Sequence, residues 1–236
     1  MKPSFSIKSA YLYGFTAFRD NCFLWVCIVI GIVILQMILH FLGKYFHGFY
    51  LPVNLLYTTY FYPIFQIFNW IVTSSMYFLL AKFSLMIMDS KSINYQSIKE
   101  IKNHYPVFLL SSLIIMISYF PARIWSHIFM SKGILAAGIL YVFVFALNIN
   151  LFSLPFIILE EKPSVFEALK KSIYLTDGVR LKLLLFFISI FVLNLLGLSI
   201  AFLGFVATFP ISQMAVCKIY RDLRASGTVT TNHPKV

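Results

Sequence analysis

The chain has 236 residues, 60% of them hydrophobic and only 11% charged, and its 19 Lys and Arg against 8 Asp and Glu give a formal charge of +11. One soluble core of this size cannot hide that much apolar surface, so the composition excludes an ordinary soluble domain and makes lipid the solvent. The basic residues recur at the edges of apolar runs, not in one patch interleaved with aromatics, which argues against a nucleic-acid partner and for anionic lipid headgroups.

The pattern predicts an all-α, polytopic transmembrane bundle of about six spans. The first runs over 22–43, free of charge and long enough for ~30 Å of hydrocarbon. A stretch rich in tyrosine and breakers follows (Tyr45, Tyr50, Pro52, Asn54, Tyr57, Tyr60), typical of a membrane interface. The second span is placed at 61–88, with Lys82 snorkelling to the inner surface. Spans three and four, 107–127 and 134–159, form a tight hairpin about Ser131-Lys132-Gly133, and Pro155 is expected to kink the fourth. The last apolar stretch, Leu183 to Cys217, would be about 50 Å long as one helix, more than a bilayer needs. Two spans, 181–197 and 201–220, turning near Gly197 to Gly204, keep the basic flanks Arg180 and Lys182 and Lys218, Arg221 and Arg224 on one side.

This arrangement places 16 of the 19 basic residues and all eight acids inside, leaving Lys44, Arg123 and Lys132 outside. Both termini are then cytoplasmic. Residues 1–224 form one transmembrane domain, and 225–236 read as a short, polar, disordered cytoplasmic tail. Residues 1–21 do not read as a signal peptide. Cys22, Cys27 and Cys217 lie in or at the mouths of apolar runs and read as buried small hydrophobes.

Amphipathic surface helices are expected before spans one, three and five. The clearest starts at a capping box, Ser164 to Glu167 after Pro163, and stops at Asp177-Gly178, with Val165, Leu169 and Ile173 as its apolar face. Ile98, Ile101 and Tyr105 form a weaker version before span three; Ile7, Tyr11, Phe15 and Phe18 form another before span one. Lys2-Pro3-Ser4 echoes Lys162-Pro163-Ser164, so the chain reads as three copies of a surface helix followed by a hairpin.

Asn69, Asn148, Asn150 and Asn194 fall near the bilayer midplane, counting 1.5 Å per residue from the inner edge. Two readings stand for them: hydrogen bonds that hold the helices together, or the lining of a polar path for a small solute. Gln36 and Gln213 lie nearer opposite surfaces. Arg123, Lys170, Lys171 and Arg221 are candidate contacts for lipid phosphate or another anion, although snorkelling also accounts for Arg123. His40, His47 and His127 share the outer side at spacings that match no metal motif, so no metal or cofactor is expected. No catalytic motif is present, and the chain does not read as an enzyme.

Pro155-Phe-Ile-Ile-Leu-Glu160, Ala168-Leu-Lys-Lys-Ser172, Gly178, Gly204, Pro210 and Tyr220-Arg221-Asp222-Leu223 resemble a bacterial membrane family. It comprises the YciC-like inner-membrane proteins and the membrane domain fused to some glycerophosphodiester phosphodiesterases. The match is clearest over about residues 150–224. The resemblance implies a six-span bundle in a bacterial inner membrane and carries over no activity, because the phosphodiesterase chemistry belongs to a separate barrel. The expected role is a non-enzymatic, lipid-associated scaffold or envelope-maintenance factor; the alternative is a small-solute or lipid transporter or channel using the four asparagines.

Overall fold

The computed structural model describes residues 5–48, 62–90, 102–114, 116–117, 142, 144–145 and 148–231. All the regular structure among them is helical: α1 (Ile7–Asp20), α2 (Cys22–Gly48), α3 (Tyr62–Met88), α4 (residues 102–114), α5 (Leu154–Glu161), α6 (Val165–Thr176), α7 (Arg180–Ser199) and α8 (Ala201–Thr231). Among the described residues three apolar segments, Cys22–Gly43, Ile67–Met88 and Arg180–Ser199, are long enough to cross a membrane. The 20 residues of α7 make about 30 Å, the thickness of a hydrocarbon core. Arg123, His127, Ser131-Lys132-Gly133, Ile98, Ile101 and Lys2-Pro3-Ser4 lie outside the described residues.

The hub of the bundle is α8, which packs against α1, α2, α3, α6 and α7. It forms a hairpin with α7 through the single residue Ile200, inside the expected turn. The backbones approach closely there: a Cβ on Gly204 would stand 2.4 Å from Gly197 O, so only glycine fits. On another face, α1 lies against α8 through Ala10, Gly14 and Ala17. A Cβ on Gly14 would stand 2.4 Å from Ile211 O.

The faces that turn into the bundle are not the apolar ones. The inward stripe of α6 is Ala168, Ser172 and Thr176, while Ile173 is exposed. Likewise α1 buries Ala10, Gly14 and Ala17 and leaves Phe15 exposed. Small side chains let helices approach, and large apolar ones lose nothing by facing lipid, so hydrophobicity does not mark the inner face. The same holds for Cys22 and Cys27, which are exposed on α2; only Cys217 is buried.

The fourth span is not one helix where it is described. Residues 148–149 are helical, 150–153 form a turn, and α5 begins at Leu154 with Pro155 in its first turn. Proline suits that position because the amide it lacks would have no helical partner there. The expected kink is therefore a break. At the other end, α8 continues to Thr231, where a tail was expected from residue 225. Its turns from Tyr220 to Arg224 carry side chains tied to Glu160 and Glu161 of α5 and to Asp89 just after α3.

Candidate functional site

Among the described residues a dense polar assembly lies where the ends of α3 and α5 meet α6 and α8. Glu160, whose side chain is 15% exposed, closes α5. Its Oε2 accepts the Tyr220 hydroxyl at 2.6 Å and a bond from Arg224, while its Oε1 pairs with Arg221 Nη2 at 2.8 Å. The same guanidinium reaches Asp89, just after α3, at 2.6 Å. Arg224 extends to Glu161 at 3.3 Å, and Glu161 accepts Lys171 Nζ of α6 at 2.6 Å. Three carboxylates thus meet three cations.

Local structure explains how these groups converge. Helical spacing puts Tyr220, Arg221 and Arg224 on adjacent turns of α8. Phe156, one turn before Glu160, stacks on the Tyr220 ring with centroids 5.0 Å apart. This apolar contact sets the depth at which Glu160 meets the arginines. Chain reversal after α5 uses Lys162 in the left-handed region (φ 53°), and the Ser164 amide then donates to Glu167 Oε2 at 3.0 Å to start α6. That bond holds the Glu167 carboxyl below its ordinary value. Gly178, at φ 76°, ends the segment.

The chemistry of such a cluster is that of a clasp. Each carboxylate is engaged by a cation, and charge-assisted bonds among partly buried groups hold four elements in register. Among the described residues, no group of three His, Cys, Asp or Glu side chains is placed to hold a metal ion. No family model, curated protein or solved structure matches this chain.

Three of the four asparagines make hydrogen bonds among the described residues. Asn148 Nδ2 donates to Val144 O, four residues earlier, at 2.8 Å. Asn150 sits in the break, where its carbonyl accepts Ser172 Oγ at 2.7 Å and its Oδ1 accepts Thr176 Oγ1 at 3.1 Å; Ser153 and Ser172 share a further bond of 2.8 Å. The interrupted backbone is thus bound to α6. Asn194 on α7 donates to Ser212 on α8 at 3.0 Å. Asn69 is half-buried on α3.

Of the expected anion contacts, Arg221 and Lys171 belong to the clasp, and Lys170 is exposed on α6. Lys170 borders a surface groove of about 500 Å³ lined also by Glu167, Lys171, Ile173, Tyr174 and Arg180. Reading the sequence alone missed Asp89, Glu160 and Glu161, because each has cationic neighbours along the chain that make a solvated surface pair the default. The available signal was the recurrence of arginine at 221 and 224, on one helical face, just past an apolar run.

Proposed function

We propose that the chain is a six-span scaffold of a bacterial inner membrane, YciC-like, non-enzymatic, with both termini cytoplasmic and its inner-face helices set among anionic headgroups. The observation that carries this reading is the outward face of α6. Phe166 is 82% exposed and Tyr174 64%, and they flank Lys170 and Ile173 at helical spacing. Leu181, at the start of α7, is likewise 71% exposed. Aromatic and aliphatic groups around a lysine, followed in the chain by an apolar span, suit the boundary between acyl chains and headgroups. The asparagine and serine bonds between helices support a scaffold as well.

The test is lipid selectivity. The protein is reconstituted into equimolar phosphatidylglycerol and phosphatidylcholine, and the lipid retained on extraction is counted by native mass spectrometry. Replacing Lys170 and Arg180 by Gln should reduce the preference for phosphatidylglycerol about fivefold per charge removed, from ~1 kcal/mol for each surface cation. Unchanged retention would refute the headgroup contact. The transporter reading draws on the break at 150–153, since interrupted helices line solute sites in many transporters. Saturable uptake of a small solute into proteoliposomes, abolished by Asn150→Leu, would favour it.

A further inference from the structure

Side-chain bonds fix how α1 stands beside α7. The Lys182 ammonium donates to the Phe5 carbonyl and lies 4.6 Å from the centre of the Phe5 ring. Seven residues further along α7, Ser189 Oγ shares a 2.7 Å bond with the Tyr11 hydroxyl. Seven helical residues rise about 10 Å, so α1 runs alongside α7 from its charged first turn, Arg180 to Lys182, into its apolar run. Leu12 and Phe15, on the next turns of α1, are 58% and 53% exposed. Between α1 and α8 lies a groove of about 430 Å³, lined by Ser6, Lys8, Ser9, Leu12, Tyr13 and Lys218 among others. Lys8 is exposed and has no acidic partner among the described residues, and residues 5–18 include no acid to neutralise it. Lys218 gives one proton to Asp222 at 2.5 Å and keeps two. Ser6 Oγ accepts the Ser9 amide at 3.3 Å and keeps its own proton, and Ser9 adds a second hydroxyl.

We propose that this groove holds one anionic phospholipid, its phosphate between Lys8 and Lys218 and its acyl chains passing Leu12 and Phe15. The two ammonium groups and the Ser6 and Ser9 hydroxyls supply donors of the kind a phosphate accepts, and charge-assisted bonds of this type are the strong ones. Two cations against the single carboxylate of Asp222 leave the groove positive. A lipid that is negative overall is therefore preferred to a zwitterionic one, whose own cation would meet the lysines. Leu12 lies one turn beyond Lys8 on the same face, and Phe15 follows it. Phosphate donors and apolar side chains thus succeed one another along α1 in the order that a lipid presents its headgroup and its chains, and in the direction that α7 passes from charged to apolar. The inference rests on the headgroup reading given above and adds a defined site on a helix other than α6.

Photo-crosslinking tests the site. The full chain is reconstituted in equimolar phosphatidylglycerol and phosphatidylcholine, with a diazirine placed on the acyl chain near the glycerol of one lipid or the other. Adducts are located by peptide mass spectrometry, and the phosphatidylglycerol-to-phosphatidylcholine yield ratio is compared on peptides from α1 and α6. On α1 the ratio should exceed one in the native chain and fall about fivefold in Lys8→Gln, while the ratio on α6 stays as it was. Lys8 is exposed, so the substitution leaves the packing of α1 alone. An α1 ratio that Lys8→Gln does not change overturns the site. Leu12→Ser should lower the phosphatidylglycerol yield on α1; an unchanged yield would mean that the groove takes a phosphate without its chains, and the assignment to a lipid falls. A ratio of one on α1 with selectivity kept on α6 refutes this site alone. A ratio of one on both helices removes the headgroup reading with it.

Discussion

The packing of α1 on α8 can be measured with a pair of glycine substitutions. In Gly14→Ala the new methyl would stand 2.4 Å from Ile211 O and 3.2 Å from Ile211 C. Both are backbone atoms of a helix and cannot swing aside, so α1 must retreat by about 1 Å to reach normal contact. Overpacking of this kind costs about 1–3 kcal/mol. Gly31→Ala on α2 meets nothing within 4 Å. Each substitution also gains about 1 kcal/mol of helix propensity, which cancels when the two variants are compared. At about 2–4 °C per kcal/mol for a chain this size, Gly14→Ala should melt roughly 2–12 °C below Gly31→Ala. Thermal unfolding of both in the same detergent, followed by intrinsic fluorescence, reads the difference. Equal melting temperatures would mean that α1 does not rest on α8 at Ile211, and the account of α8 as the hub would fail with it.

Other outcomes follow from the clasp, the cap and the topology. Glu160→Gln leaves Arg221 and Arg224 short of a counter-charge and should cost about 2–4 kcal/mol of stability, whereas Asp20→Asn, at an exposed pair, should cost under ~0.5 kcal/mol; thermal unfolding of the two decides. The Glu167 carboxyl is held below its usual range by the Ser164 amide, so its cap is fully present above the ordinary carboxylate pKa and is lost as pH falls through the lowered one. A scan of melting temperature across the acid range should accordingly show a decline at low pH that is smaller in Glu167→Gln. After the native cysteines are replaced, Ile200→Cys should react with an impermeant maleimide from outside, and Glu167→Cys only after lysis. Labelling of residue 167 in intact cells would overturn the six-span topology.

The helical class, the α7–α8 turn, the Ser164–Glu167 cap and the Gly178 stop were all readable from the sequence, because each rests on local chemistry: composition, a short turn, a capping pair, a positive φ. Which face of α1 or α6 turns inward was not. In water the inner face is the hydrophobic one, but beside lipid Phe15 and Phe166 sit as well outside as in, and the contrast that periodicity relies on disappears. The break at 150–153 was half visible: Pro155 announced a disturbance, while the support from Ser172 and Thr176 came from a separate helix. The clasp was hidden for a related reason, since Glu160 meets Tyr220 across 60 residues of chain.

Joining α7 to α8 through Ile200 alone has a mechanical result. With one residue between them, neither helix can slide or tilt far without unwinding the end of the other. The pair must move as one unit. A force applied to the C-terminal end of α8 would pass round that corner directly into α7, with no slack in the connection to absorb it.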